Sequence, residues 1–205
     1  MTTERFDKAA ATWDNKSRRV QLAEKISTAI STLPLHKNMT AMEFGCGTGL
    51  VSLALAPQLK SLVALDTSQG MLDVLQEKID EQQQNNMRCL NFDILEDNYK
   101  GRHDLIICSM TLHHLQDADG LLQRFSELLN PGGYLAVADL VTEDGSFHDP
   151  SAEGIYHKGF EPAQLENTLA TLNMTDIKSR TVHTIKKETT RKEYPIFLLT
   201  AQKQN

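Results

Sequence analysis

Between Ser17 and Ile30 the apolar residues Leu22, Ile26 and Ile30 recur every fourth position, with Ala23 and Ala29 beside them. That is the period of a helix with one buried face, and Pro34 ends it. From Thr40 onward the pattern changes to short apolar runs separated by amphipathic stretches. The runs at 40–44, 62–65, 87–92, 105–108 and 134–138 are too uniformly apolar for one-sided strands and predict strands buried on both faces. Between them, 50–56, 71–79 and about 119–129 carry helical spacing; Met71, Leu72, Leu75 and Ile79 share one face. Pro57 marks the end of one helix, Thr67 or Ser68 caps the next, and Asn130-Pro131-Gly132-Gly133 predicts a turn. Strand–helix alternation of this kind builds an open parallel sheet with right-handed crossovers. After a helix over 162–172, the segments 177–185 and 196–202 predict two strands joined by a polar turn, hence antiparallel. Pro195 fits only at the start of its strand.

In such sheets ligands bind beyond the carboxyl ends of the strands, near the switch in strand order. Glu43, Asp66, Asp93, Ser109 and Asp139 all fall at those ends. The first strand runs into Gly45-Cys46-Gly47-Thr48-Gly49, and glycine tolerates positive φ and lets a ligand approach the backbone closely. The opening of the following helix adds free N–H groups, so a nucleotide-like ligand is expected. Dinucleotide dehydrogenases use a GxGxxG loop, but Leu50 stands where their third glycine would be. Glu43 is unwelcome beside a pyrophosphate and suits an ammonium group. Asp66 follows at about the distance of a carboxylate that grips ribose hydroxyls.

These residues resemble the class I S-adenosylmethionine-dependent methyltransferases. Glu43 to Gly49 is similar to the first motif of that family and Leu65-Asp66-Thr67-Ser68 with Met71 to the second. Phe92-Asp93-Ile94 resembles the adenine-contacting segment. His103 to Ser109, continuing to Leu115, resembles the fourth motif, and Leu129 to Gly133 the turn before strand five. The resemblance spans roughly 40–139. It implies an α/β, Rossmann-like methyltransferase fold: a mostly parallel seven-stranded sheet with a C-terminal antiparallel hairpin and helices on both faces. It also implies S-adenosyl-L-methionine as cofactor and S-adenosyl-L-homocysteine as product. Gly45, Cys46, Gly47 and Gly49 then pass close to the methionine part, and Glu43 holds its amino end. Asp66 and Thr67 lie at the ribose, Asp93 at the adenine amino group, Ile94 and Met71 on the ring faces, and Ser109 near the sulfonium. Arg19 would clamp the cofactor carboxylate, and Trp13 is either a packing residue or a further contact.

Composition narrows the remaining choices. With 205 residues, 40% hydrophobic and 23% charged, one domain is expected: a helical cover over 1–35, a cofactor-binding core over 36–140, and an acceptor loop, helix and hairpin over 141–205. A net charge of −6 argues against a broad nucleic-acid surface, so the expected partner is a small-molecule methyl acceptor. Three cysteines without a CxxC spacing fit a reducing compartment and give no zinc template. No apolar leader or membrane span is evident, and a cytoplasmic location is expected. Displacement at a sulfonium needs alignment and exclusion of water, and at most a base. His113 and His114 after strand four, and His148 and His157 in the long stretch 141–160, are the candidates, each readable instead as a structural residue. Phe147, Tyr156 and Phe160 are candidate pocket walls, whereas Lys186-Lys187 reads most simply as a solvated turn. No HxH or HxxxH spacing pins a metal, and none is expected. The alternative from another class is a cofactor-binding sensor or partner subunit that transfers nothing.

Overall fold

The computed structural model describes residues 3–95 and 99–205. Helix α1 (Glu4–Ala9) runs into a 3₁₀ segment (Ala10–Asn15) and then α2 (Ser17–Ile30). The sheet core follows as β1 (Thr40–Phe44), α3 (Leu50–Leu55), β2 (Ser61–Asp66), α4 (Gln69–Glu81), β3 (Met87–Asn91), β4 (His103–Ser109), a 3₁₀ turn (Leu112–His114), α5 (Ala118–Leu128) and β5 (Leu129–Leu140). Helix α6 (Pro162–Thr171) and the strands β6 (Met174–Lys187) and β7 (Lys192–Lys203) complete the chain. The seven strands lie in the order β3-β2-β1-β4-β5-β7-β6. All pairs from β3 to β5 are parallel, and β7 is antiparallel to both neighbours.

Alternate residues of each central strand serve opposite faces. Ala41, Leu62, Ala64, Leu105 and Ile107 pack with α2, α3 and α4, whereas Met42, Phe44, Val63, Leu65, Ile106 and Cys108 pack with α5 and α6. Both faces of the central strands are thereby covered, which explains their apolar runs; β3, expected to be buried on both faces, instead lies at the sheet edge with Arg88 and Asn91 exposed. The order reverses between β1 and β4, and the crevice at that switch opens beside the glycine loop.

Two further expectations need correction. The segment Asn130–Gly133 is not a free turn; it lies within β5 as a bulge, where the register slips between His103↔Leu129 and Leu105↔Tyr134. Asp104 accepts from Asn130 Nδ2 at 2.7 Å and Gln202 Nε2 donates to Gly132 O at 2.9 Å, so tertiary bonds hold the extra residues against the sheet. Pro195 is not at the start of β7 but pairs with Thr184 inside it. Its carbonyl accepts from Val141 N at 3.0 Å, just past the end of the β5 ladder at Leu140↔Ile196, so the missing N–H faces a side where the ladder has ended.

Candidate functional site

The glycine loop is folded back on the tip of β2. Gly45 and Cys46 N–H groups donate to Leu65 O at 2.8 and 3.0 Å. Gly47 N donates to Asp66 Oδ2 at 2.8 Å, and Ser68 N to Asp66 Oδ1 at 2.9 Å. Gly45, Gly47 and Gly49 have φ of 68°, 52° and 76°, conformations that side chains rarely adopt. They are needed for different reasons. A Cβ on Gly45 would sit 2.3 Å from Thr111 and one on Gly49 2.2 Å from Leu75, whereas one on Gly47 would meet nothing within 4 Å. Gly45 and Gly49 therefore allow close packing, and Gly47 alone leaves bare backbone on open space.

That space is a cavity of about 540 Å³ between the strand tips, the N-terminal cover and the 141–160 stretch. Its size and largely apolar wall with a few converging polar groups suit a small molecule. Glu43, Cys46, Asp66, Thr67 and Ser109 reach it from the strand ends and the loops after them, and Met71 from the first turn of α4. Trp13 and Arg19 reach it from the cover, with the Arg19 guanidinium 3.4 Å from the Trp13 ring centre and donating to Trp13 O at 3.1 Å. Gly49 lies behind the wall. Asp93 and Ile94 are not part of the lining either: Ile94 is buried in the α5–α6 core, and Asp93 Oδ1 accepts from Leu95 N at 3.0 Å.

Glu43 is 2% exposed and accepts from the Ser52 hydroxyl. Burial pushes its carboxyl up to about 8, against the pull of that bond. Burial also raises Asp66, while the Ser68 and Gly47 N–H groups oppose the shift. Each Asp66 oxygen keeps acceptor capacity beyond its backbone bond.

The opposite wall is built by the turn after β4. His113 is 1% exposed; its Nδ1 lies 2.7 Å from Asp139 Oδ1, and its backbone N–H donates to Asp139 Oδ2 at 3.1 Å. Burial works against the Asp139 carboxylate, but the His113 ring and the Leu140 and His113 N–H groups outweigh it and hold its pKa below the usual range. His114 Nδ1 meets Gly154 O at 2.6 Å, which ties the turn to the long loop, and burial with the neighbouring charge of His113 lowers its pKa to about 3. The His148 ring packs 5.0 Å from that of His113, and burial followed by the charges of His113, Arg5 and Lys187 lowers its pKa to about 4. His157 is set apart: it packs on Phe160 at 4.9 Å outside the cavity lining. Phe147 lines the cavity, whereas Tyr156 is 49% exposed. Among the described residues no group of three or more His, Cys, Asp or Glu is arranged to hold a metal, and no helix is long and apolar enough to cross a membrane.

Several participants escape a reading of the sequence. Asp7 Oδ1 accepts from Ser68 Oγ at 2.6 Å and Gly70 N at 2.9 Å, fastening α1 to the start of α4. Asp14 accepts from Thr48 Oγ at 2.6 Å and pairs with Lys78, fastening the 3₁₀ segment to the glycine loop. Two acids seven residues apart in an otherwise small and aromatic segment were the available signal. Arg5 lines the cavity and donates to Glu153 O. Lys187 is no solvated turn: Lys186 pairs outward with Glu193 at 2.7 Å, while Lys187, on the other face of β6, donates to Phe147 O and borders the cavity.

A methyltransferase-domain model matches residues 42–135. An uncharacterized methyltransferase of Schizosaccharomyces pombe is 34% identical over 68% of this chain and 55% of its own length. A ubiquinone biosynthesis O-methyltransferase of Coxiella burnetii is 33% identical over 48% of this chain and 42% of its own. The chain thus spans about half the length of these curated relatives. An S-adenosylmethionine-dependent methyltransferase of Clostridium acetobutylicum superposes over 98% of this chain and 99% of its own, with a TM-score of 0.69 at 18% identity, a likeness of fold. Sheet order and the likeness to solved structures give this chain the Rossmann-like α/β fold of the class I S-adenosylmethionine-dependent methyltransferases, and its residues 42–135 are similar to a methyltransferase domain.

Proposed function

We propose that the protein transfers a methyl group from S-adenosyl-L-methionine to an O, N or C atom of a small molecule. The observation that carries this reading is the pairing, in one cavity, of the bare Gly47 backbone and the Asp66 carboxylate on one wall with an imidazole cluster on the other. The residues fit the cofactor: an added Cβ at Gly47 would project into unfilled space, and Asp66 retains lone pairs for sugar hydroxyls. Glu43 faces the amino end, Arg19 the carboxylate, Thr67 and Met71 the adenosine, and Gly45, Cys46 and Ser109 the reacting end. Trp13 closes this half from above. Asp93 and Ile94 take part only if the segment after β3 folds inward on binding. S-adenosylmethionine supplies an electrophilic methyl on a sulfonium and leaves as S-adenosylhomocysteine. The chain supplies alignment and a dry enclosure. His113, His114 and His148 border the acceptor, and His157 supports the loop from outside.

Calorimetry with S-adenosylmethionine and S-adenosylhomocysteine, followed by a mass-spectrometric search of a metabolite extract for products heavier by one methyl, tests the proposal. Binding with transfer supports it. Tight binding with no methylated product in any extract selects instead a sensor or partner subunit, and no binding of either compound removes both readings.

A further inference from the structure

The acceptor wall combines three features that the general reading leaves unused. The first is an orphaned lone pair. Asp139 is fully buried and its carboxylate only accepts, so the hydrogen between it and His113 sits on Nδ1. In the tautomer with its single hydrogen on Nδ1 the ring's Nε2 is an acceptor, and that atom is buried with no hydrogen-bond partner. Buried polar atoms are seldom left so, and one at the edge of a ligand cavity marks where a ligand donor belongs. The second is its cover. His148, whose Nε2 is likewise buried and unpartnered, packs over His113 from the 141–160 stretch, so an entering polar group displaces one imidazole from the other. His114 has no such vacancy, since Nδ1 is spent on Gly154 and Nε2 faces Arg5 at 3.5 Å. The third is charge. Arg5 and Lys187 flank this end of the cavity from α1 and β6, each with donors beyond its carbonyl bond; Asp139, behind the wall, is committed to His113, and the one acid beside them in the lining, Asp149, accepts from Ser151 N and Oγ.

We propose that the acceptor is an anionic hydroxy compound whose charged group is held by Arg5 and Lys187 and whose hydroxyl donates to His113 Nε2, with Asp139 as the positioning residue. This rests on the methyl-transfer reading above. The acceptor O–H bond breaks and its proton passes to Nε2; the oxygen pair forms the new O–CH₃ bond. The electron pair of the broken S–CH₃ bond stays on sulfur as a thioether. The imidazolium so formed is balanced by the Asp139 carboxylate. A cationic amine acceptor is disfavoured by Arg5 and Lys187, and a carbon acid has no hydroxyl to fill the vacancy.

The test uses the full chain saturated with S-adenosylhomocysteine, titrated calorimetrically with para-hydroxyphenylacetate, its amide and tyramine. The carboxylate is expected to bind about tenfold or more tighter than the amide, and tyramine weakest. Arg5→Gln and Lys187→Gln each erase that preference and leave S-adenosylhomocysteine affinity unchanged. Imidazole ¹⁵N spectra should show His113 protonated at Nδ1, with the Nε2 resonance moving when the carboxylate is added; Asp139→Asn abolishes that movement, and His113→Gln removes the resonance. Equal binding of amide and carboxylate, preferred binding of tyramine, no binding of the carboxylate, or an Nε2 resonance indifferent to it overturns the inference. Failure to bind S-adenosylhomocysteine, by contrast, removes the methyl-transfer reading itself.

Discussion

The two walls of the cavity are made differently. The wall of Gly45, Gly47 and Asp66 comes from one stretch of 22 residues folded across two adjacent strand tips, and its polar surface is largely main chain. The facing wall takes Arg5, His113, His148 and Lys187 from four distant segments, and its charged and imidazole groups are side chains. Backbone geometry is set by local sequence and varies little with the neighbours. A side-chain wall exists only once helix, turn, loop and hairpin have each been delivered. On the proposed function, a shared ligand group meets the first kind of surface and a particular one the second.

The sharpest way to break the comparison is to remove the carboxylate from each wall. Asp139→Ala strands three buried donors, the His113 ring and the N–H groups of His113 and Leu140, and should cost about 3–5 kcal/mol of folding stability in urea titrations. Its pKa is depressed in the folded protein, so the stability it contributes is present above the ordinary carboxylate range and is lost as pH falls through the folded value. A loss below about 1 kcal/mol would mean that the wall is not held by this pair.

Glu43 gives the reverse pH dependence. Its folded pKa is raised from 4.5 to about 8, so the stability of the ligand-free protein is full below about 4.5 and declines as pH climbs to about 8. Glu43→Gln should flatten that decline and leave the denaturation midpoint near pH 4 little changed. Parallel curves for the two proteins from pH 4 to 9 would show that the buried acid is not the cause.

How much of this was legible follows the same division. The strand tips, the glycine loop and the caps are readable because apolar runs and glycine spacing are local signals, and Ser68 does cap α4 by accepting from Met71 N at 3.3 Å. The parallel sheet and the antiparallel terminal pair follow from strand–helix alternation and the polar turn, whereas the seven-stranded sheet with its reversed hairpin was implied by the family resemblance. Lys187 was hidden because it is neighbour to an exposed lysine, and only strand alternation carried through residue 187 separates them. Asn130–Gly133 has turn composition, yet the bonds to Asp104 and Gln202 that stretch it are long-range. His157 and His148 look equivalent in a loop without period; only the packing of the loop puts one inside and one outside.

Asp66→Ala should leave the fold intact and weaken S-adenosylhomocysteine binding by about 1.5–3 kcal/mol, the scale of hydrogen bonds to a charged group. Unchanged calorimetric affinity in the folded variant would remove Asp66 from the cofactor wall. Arg19→Gln, which removes charge but keeps a donor, is the milder companion, since Arg19 already spends one N–H on Trp13 O.

The smallest effect on stability separates glycines that look alike. Gly47→Ala places a methyl group where no protein atom lies within 4 Å, so its structural cost is the positive φ alone, about 1–2 kcal/mol. Gly49→Ala carries the same conformational cost and drives its Cβ to 2.2 Å from Leu75 in a packed core, adding about 1–3 kcal/mol of overpacking. Stability should therefore fall less in Gly47→Ala than in Gly49→Ala, while S-adenosylhomocysteine affinity should fall further in Gly47→Ala, whose methyl occupies the ligand's side of the wall. The two rankings run in opposite directions, which a general weakening of the loop cannot produce. Thermal melts and calorimetry on the pair decide it: if the variant that melts lower also binds worse, Gly47 has no special place in the wall.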